Sequence, residues 1–165
     1  MSIVVNIIGE KSNVGKTLVM EGVIRELKKR GLSIATIKHD VHGFDIDKEG
    51  KDTYRHREAG SETVIISSNK RMALIREVKE EVPLNELIKL AKDKDVILVE
   101  GYKNSNLRKL EIYRKDFSER IISSKEKLIA IISNEELFFE DIIVIKKNNF
   151  KEIVDLILKE EEYII

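Results

Sequence analysis

The chain has 165 residues, and its 30 Lys and Arg residues balance 30 Asp and Glu residues, so the formal net charge is zero. Balanced charge gives no overall field that attracts nucleic acid or an anionic membrane. The sequence has no cysteine, which excludes disulfides, zinc–thiolate sites and cysteine nucleophiles. No apolar run approaches the ~20 residues that cross a bilayer, and the first residues lack the basic start of a signal peptide. We expect one cytoplasmic domain over residues 1–165, with no nucleic-acid or membrane partner.

Short apolar runs alternate with amphipathic stretches along the chain. The β-branched run Ile3–Ile8 predicts a buried strand, and a helix over Thr17–Arg30 follows, with Gly31 as its stop. Further strands are predicted at 33–37, 62–66, 72–75, 95–99, 110–113, 128–132 and 142–145, and further helices at 52–59, 83–92 and 150–158. This alternation indicates an α/β fold, a three-layer domain with a mostly parallel central sheet. Ligands of such folds bind at the carboxyl ends of the strands.

The connection between the first strand and the first helix reads Gly-Glu-Lys-Ser-Asn-Val-Gly-Lys-Thr over residues 9–17. Backbone N–H groups and the positive end of a helix bind phosphate oxygens at such a position. In the P-loop (Walker A) pattern Lys16 would reach the β- and γ-phosphates, and the Thr17 hydroxyl would bind Mg²⁺. The alternative is an ordinary strand-to-helix turn. The predicted nucleotide-binding residues here are Gly9, Lys11, Ser12, Asn13, Val14, Gly15, Lys16, Thr17 and Leu18.

The loop departs from the strict P-loop spacing, which requires a glycine where the chain has Glu10. Its extra residue resembles the loop of dethiobiotin synthetase. Lys11 resembles the second lysine of deviant P-loops in dimerising nucleotide switches, where that lysine reaches the partner's nucleotide. An exposed surface lysine is the alternative for Lys11.

The segment of residues 38–58 is the most polar part of the chain and carries all three histidines, His39, His42 and His56. A compact domain seldom keeps so long a connection without a use for it. Imidazole and carboxylate groups suit several divalent metals, so one hypothesis is a metal site; the other is a solvated, salt-bridged loop. The cluster considered consists of His39, Asp40, His42, Asp45 and Asp47.

Two carboxylates are candidate Mg²⁺ ligands besides the Thr17 hydroxyl. Glu100 ends a buried strand and precedes Gly101, a place where P-loop proteins use a carboxylate to order Mg²⁺ or its waters. Asp52 opens the helix predicted at 52–59, where it would bind Mg²⁺ through water or cap the helix. A plain surface residue is the alternative for Glu100.

Four blocks of the sequence, taken in order, resemble the MobB family of molybdopterin-guanine dinucleotide biosynthesis adaptor proteins. The first is the loop of residues 9–17, and the second is the segment from Lys38 to Gly60, with its Phe-Asp-Ile-Asp and Gly-Lys-Asp-Thr runs. The third is the Ser-Ser…Arg…Ala-Leu pattern over 67–74, and the fourth is Leu-Val-Glu-Gly-Tyr-Lys over 98–103. Together the blocks cover positions 1 to about 115.

The resemblance implies a GTP-binding homodimer that hydrolyses GTP slowly at most and assists the MobA-type molybdenum cofactor guanylyltransferase. GTP would be its ligand and Mg²⁺ its cofactor. The positions that match the family's motifs are Gly15, Lys16 and Thr17 for phosphate and Mg²⁺, Gly50, Lys51, Asp52 and Thr53 for the Gly-Lys-Asp-Ser element near the nucleotide, and Glu100 for the acidic residue.

The sequence departs from the family in its longer loop and in Leu18, which replaces a threonine and supplies no hydroxyl near the α-phosphate. The Asn-Lys-x-Asp motif that reads guanine in many GTPases is absent, because Met72 stands at its last position after Asn69-Lys70. Ser133 and Asn134 are candidate base contacts. The alternatives are an ATP-dependent small-molecule kinase or ligase of the dethiobiotin synthetase type, and a metal-insertion GTPase, which would lack cysteine ligands here.

Overall fold

The structure, a computed structural model, describes residues 2–164. They form two compact units: residues 2–39 with 87–164 make the first, and residues 40–86 make the second. The single domain expected over residues 1–165 stays a prediction. Within 2–164, no helix combines the length and apolar character that crossing a membrane requires.

The elements follow the predicted order with ends shifted by a few residues. The strands are β1 (Ser2–Gly9), β2 (Ile34–Lys38), β3 (Thr63–Ser67), β4 (Met72–Arg76), β5 (Val96–Glu100), β6 (Lys109–Ile112), β7 (Leu128–Ile132), β8 (Val144–Ile145) and β9 (Glu162–Tyr163). The helices are α1 (Lys16–Lys29), α2 (Asp52–Glu58), α3 (Leu84–Leu90) and α4 (Phe150–Ile157), and a 3₁₀ turn covers Lys125–Lys127. The short strand β9 was not predicted.

The first unit is built on a sheet with strand order β2-β5-β1-β6-β7-β8. All neighbours along this path are parallel, and β9 pairs antiparallel with the start of β1. This confirms the predicted α/β fold with a mostly parallel central sheet. In register, Glu100 is the partner of both Ile7 and Lys38. The carboxyl ends of the three strands β2, β5 and β1 therefore lie side by side.

Alternate residues of β1 face opposite sides of the sheet, as strand geometry requires. Val5 and Ile7 join the buried cluster that includes Val23 of α1 and Val154 of α4, so these two helices cover one face. Burying such side chains fully contributes about 1.5–3 kcal/mol each. The other face carries Asn6, whose side chain donates to the connection after β5. Connecting segments therefore cover part of that face.

The strands predicted at 62–66 and 72–75 do not join the parallel sheet. They are β3 and β4, which pair antiparallel as a separate two-stranded sheet within the second unit. Only residues 68–71 connect them, and this connection permits a hairpin but is too short for a parallel crossover. Ser68 N–H donates to the Arg71 carbonyl oxygen at 2.8 Å, which closes the turn.

Helix α1 ends where Gly31 was predicted to stop it. Gly31 has φ +81°, and the N–H of Leu32 donates back to the Leu27 carbonyl oxygen at 3.3 Å. A glycine in the left-handed region with this return bond is a common helix stop, because glycine adopts positive φ without steric cost.

Candidate functional site

The loop between β1 and α1 curls tightly around one apolar side chain. Val14 is fully buried, and a Cβ built on Gly9 would lie 2.4 Å from Val14 Cγ2 and 3.3 Å from the Ile112 carbonyl oxygen. Only a glycine fits at position 9, because the loop folds back onto it there. The predicted residues Gly9 and Val14 therefore set the loop's shape.

The same loop presents backbone donors at the start of α1. Asn13 and Gly15 have φ +63° and +105°, and left-handed residues of this kind turn neighbouring N–H groups towards one side, where they can bind an anion. No side chain caps the N-terminus of α1, although the first N–H groups of a helix lack partners within it. This end of the helix can accept phosphate oxygens.

Three lysine ammonium groups converge on carbonyl oxygens of the loop. Lys16 Nζ donates to Lys11 O at 3.2 Å, Lys103 Nζ to Glu10 O at 2.6 Å and Lys147 Nζ to Val14 O at 3.0 Å. Burial lowers the pKa of Lys16; the positive charges of Lys103 and Lys38 lower it further, and Glu100 acts in the opposite direction. The concentration of positive charge suits a polyphosphate.

The extra residue of the loop, Glu10, contacts the segment that follows β6. Its Oε2 accepts hydrogen bonds from the backbone N–H groups of Glu119 and Arg120, and the Glu119 bond is the main cause that lowers the Glu10 pKa. Lys11 forms an ion pair with the Glu119 carboxylate. The role predicted for Lys11 at the nucleotide stays a prediction. Glu10 and Lys11 of the longer loop thus contact the segment after β6. Gly15, Lys16 and Thr17 still stand at the start of α1.

Glu100 lies at the end of β5, next to β1, as the sequence predicted. Glu100 is partly buried, and the negative charge of its carboxylate acts on the ammonium of Lys16. The following backbone is constrained: a Cβ on Gly101 would lie 3.0 Å from His39 Cβ, and the rings of His39 and Tyr102 stack at 4.3 Å. Glu100 and the exposed Thr17 are oxygen ligands of the type Mg²⁺ takes, so the donor set fits that ion.

A buried polar group that the sequence analysis missed supports the turn after Glu100. Asn6 is fully buried, and its Nδ2 donates to Tyr102 O and to Ser105 Oγ, both at 3.1 Å. The ammonium of Lys109, which is 2% exposed, donates to the carbonyl oxygens of Ser105 and Leu107. Asn6 interrupts the apolar run of residues 3–8. Because buried polar side chains need hydrogen-bond partners, this asparagine was the signal in the sequence that could have predicted the group.

Other predicted residues lie at the rim of the loop. The side chains of Ser12, Asn13 and Thr17 are exposed, and Leu18, the third residue of α1, is 59% exposed. These side chains are accessible to a ligand, and their assignment stays a prediction.

Gly50, Lys51, Asp52 and Thr53 lie together in the second unit, around the start of α2. Gly50 has φ +77°, Asp52 is exposed, and Thr53 Oγ1 donates to Asp47 Oδ1 at 2.8 Å. Their place at a nucleotide, and that of Asp52 at Mg²⁺, stay predictions.

Arg57 forms ion pairs with three carboxylates of the second unit. Its guanidinium lies 3.4 Å from Asp45 Oδ1, 3.4 Å from Asp47 Oδ2 and 2.9 Å from Glu77 Oε1. Among residues 2–164, no three His, Asp or Glu side chains are arranged to hold a metal ion. The contacts of Asp45 and Asp47 with Arg57 are those of a salt-bridged loop, and the histidine metal site stays a hypothesis.

Comparisons with known proteins agree with this architecture. The family model described as "MobB: Molybdopterin guanine dinucleotide synthesis protein B" matches residues 4–134. The molybdopterin-guanine dinucleotide biosynthesis adapter protein of Haemophilus influenzae is 33% identical over 148 residues, 88% of this chain and 83% of that protein. The adapter protein of Escherichia coli strain K12 is 31% identical over 154 residues, 90% and 87% of the two chains.

The crystal structure of Bacillus subtilis MobB has a TM-score of 0.72 at 25% identity, covering 94% of this chain and 95% of that one. The fold thus defines an α/β protein of the P-loop NTPase-like class, with a mostly parallel sheet and its loop at the end of β1. Because the family model spans most of the sequence and the two curated relatives exceed 30% identity, the chain belongs to the MobB family.

Proposed function

We propose that the protein is a GTP-binding adapter of molybdopterin-guanine dinucleotide biosynthesis that acts in the cytoplasm and assists a MobA-type guanylyltransferase. The observation that carries the proposal is the loop between β1 and α1, where three lysine ammonium groups surround a backbone shaped to bind phosphate. Family membership and the names of the curated relatives support the pathway and the adapter role. Any GTP hydrolysis is slow.

In this proposal the N–H groups of Gly15, Lys16 and Thr17 bind phosphate oxygens, and Lys16 exchanges its bond to Lys11 O for the β- and γ-phosphates. The Thr17 hydroxyl and the Glu100 carboxylate hold Mg²⁺, which when bound neutralises part of the phosphate charge. The position of Glu100 supports this role, because it ends β5 beside β1 and its charge acts on the ammonium of Lys16.

The proposal is tested by calorimetric titration of the protein with GTP and with ATP, each with Mg²⁺. GTP is expected to bind more tightly, and Lys16→Ala to abolish binding. Lys159→Ala, which removes an exposed lysine beyond the end of α4, is the matched control and should change nothing. Equal affinity for the two nucleotides contradicts the guanine preference, and a clear ATP preference favours the ATP-dependent kinase or ligase. Retained binding in Lys16→Ala means that the loop does not bind the phosphates.

We further propose that two copies of the chain associate. On the β3–β4 hairpin, Ile65 and Leu74 are cross-strand partners and are 61% and 48% exposed. Met72 is 69% exposed, so this face of a two-stranded sheet is apolar and accessible. Such faces mark interaction surfaces. Light scattering should give a dimer mass for the wild-type chain and a monomer mass for Ile65→Lys, with Glu80→Lys as the charge control. A monomeric wild type contradicts the dimer.

The adapter role has its own test, a binding titration between this protein and a MobA-type guanylyltransferase. Saturable binding that strengthens with GTP and Mg²⁺ supports the proposal. No binding at micromolar concentrations of either protein contradicts it.

A further inference from the structure

Arg114, a cation that the proposed function does not use, follows β6, the strand beside β1. Ile112, the last residue of β6, is in register with Gly9 at the end of β1. The N–H of Tyr113 continues the sheet by donating to the Ile132 carbonyl oxygen at 3.0 Å. Arg114 therefore comes directly after the point where β6 runs beside the start of the loop between β1 and α1.

The alternation of β6 places Arg114 on the side of the sheet from which this loop is built. Ile112 and the loop residue Val14 belong to the same buried cluster beneath α1. Residues two apart in an extended strand face the same side. Since the sheet continues through Tyr113, Arg114 follows Ile112 on the side of Val14 and the start of α1.

The charge of Arg114 acts on Lys147, a lysine that contacts the same side of the loop. Lys147 Nζ donates to Val14 O at 3.0 Å and lies 3.9 Å from a Cβ built on Gly15. Burial lowers the pKa of Lys147, and the positive charge of Arg114 lowers it further, whereas Glu135 acts in the opposite direction. Two like charges near each other repel, and an anion bound by both offsets that repulsion.

The turn that carries Arg114 fixes the start of its side chain. The N–H of Ser118 donates to Arg114 O at 2.7 Å, and the N–H of Arg114 donates to Ser118 Oγ at 3.2 Å. The guanidinium lies over the ring of Phe117, with 4.3 Å between Cζ and the ring centroid. Arg114 is nevertheless exposed. A planar guanidinium held on an aromatic ring keeps N–H donors for phosphate oxygens.

We propose that Arg114 binds the phosphates of the nucleotide from the side of the loop opposite Glu100. This inference rests on the proposed function. Glu100 ends β5 and Arg114 follows β6, and these two strands flank β1. Because the proposed Mg²⁺ and the terminal phosphate take the side of Glu100, Arg114 contacts the phosphates nearer the nucleoside. A guanidinium forms strong, charge-assisted hydrogen bonds with such oxygens.

The test is Arg114→Gln, which removes the charge, with Lys115→Gln on the exposed neighbour as the matched control. Affinities for GTP and for GDP are measured by calorimetry at low and at high salt. Arg114→Gln should bind both nucleotides at least ~10-fold more weakly, by the same factor for each. Its affinity should also fall less on adding salt than that of the wild type, because one screened attraction is gone. Arg114→Lys, which keeps the charge, should bind with intermediate affinity.

Several outcomes overturn the inference while the proposed function stands. If Arg114→Gln binds both nucleotides as the wild type does, or if Lys115→Gln weakens them as much, Arg114 does not bind the phosphates. A loss confined to GTP contradicts the assignment to the phosphates nearer the nucleoside. A lower affinity with the salt dependence of the wild type means that Arg114 only shapes the turn. A wild type that binds no nucleotide removes the proposed function and this inference together. Circular dichroism of each variant checks that the fold is kept.

Discussion

The side chain of Asn6, in the middle of β1, donates a hydrogen bond to the carbonyl oxygen of Tyr102, two residues after Glu100, at 3.1 Å. Tyr102 has φ +45°, a left-handed conformation that a tyrosine seldom adopts and that surrounding contacts must maintain. The bond joins the strand that leads into the loop between β1 and α1 to the turn that follows the proposed Mg²⁺ ligand Glu100. Asn6 therefore holds two parts of the candidate site in register.

We predict that Asn6→Ala lowers the free energy of unfolding by about 1–3 kcal/mol, because two buried hydrogen bonds are lost. It should also raise the Mg²⁺ concentration needed for half-maximal GTP binding, since the turn after Glu100 loses its anchor. Urea denaturation and a Mg²⁺ titration measure the two effects. Asn104→Ala, an exposed amide in the same turn, is the control. A destabilised variant with an unchanged Mg²⁺ requirement would give Asn6 a structural role only.

Gly9→Ala should abolish nucleotide binding while the parallel sheet still forms. The new methyl group would lie 2.4 Å from Val14 Cγ2, so Val14 must move and the loop must open. The double variant Gly9→Ala/Val14→Ala removes that methyl clash and should recover part of the affinity. Calorimetric titration with GTP compares the three proteins. If the double variant binds no better than Gly9→Ala, the contact with Val14 is not what shapes the loop.

Lys109 should make stability depend on pH above neutrality. Burial lowers its pKa below the ordinary 10.5, with Lys127 adding to the effect and Glu111 opposing it. Between the lowered pKa and 10.5 the unfolded chain binds more protons than the folded one, so the free energy of unfolding rises with pH. One proton limits this slope to about 1.4 kcal/mol per pH unit.

Lys109→Met removes this contribution, so its stability should rise less between pH 7 and about pH 10.5 than that of the wild type. Urea denaturation across the range measures the difference. Lys115→Met, at an exposed position, should follow the wild type. Parallel curves for wild type and Lys109→Met would show that Lys109 titrates normally.

Arg57→Lys should loosen the second unit although it keeps the charge. A lysine cannot replace the planar guanidinium that lies near Asp45, Asp47 and Glu77. Amide hydrogen exchange at residues 45–57 is expected to become several-fold faster, whereas exchange in β1 and β5 stays slow. Arg55→Lys, on the exposed side of α2, is the control. Unchanged exchange in Arg57→Lys would mean that the three carboxylates hold their positions without it.

The features predicted well from the sequence are those with a local cause. The β-branched run at 3–8, the glycine at 31 and the hydrophobic face of α4 each determine their element through neighbouring residues. The two strands β3 and β4 were predicted, whereas their antiparallel pairing as a separate sheet was not, although the short connection at 68–71 permits only a hairpin. The strand β9 was missed since two residues that pair with β1 across the whole chain leave no periodic signal.

The candidate site likewise contains residues that local sequence patterns predict and residues that only the fold brings together. Lys16 and Glu100 were predicted from the Gly-Lys-Thr and Val-Glu-Gly runs, and Gly9 was predicted from its place between the first strand and the first helix. Lys103 and Lys147 reach the loop from the segments that follow β5 and β8, and only the strand order brings them there. Asn134 was proposed as a base contact from its position after the seventh predicted strand, and that role stays a prediction.

His39 is the last residue of the first unit, and it contacts the residues on either side of Gly101. Its N–H donates to Glu100 O at 2.9 Å, and its ring stacks on Tyr102. The residue before Asp40 is therefore held by the backbone of Glu100 on one side of Gly101 and by the ring of Tyr102 on the other. If the proposed Mg²⁺ displaces Glu100, His39 is expected to move with it. A spectroscopic label at Asp40 is therefore expected to report binding of that ion.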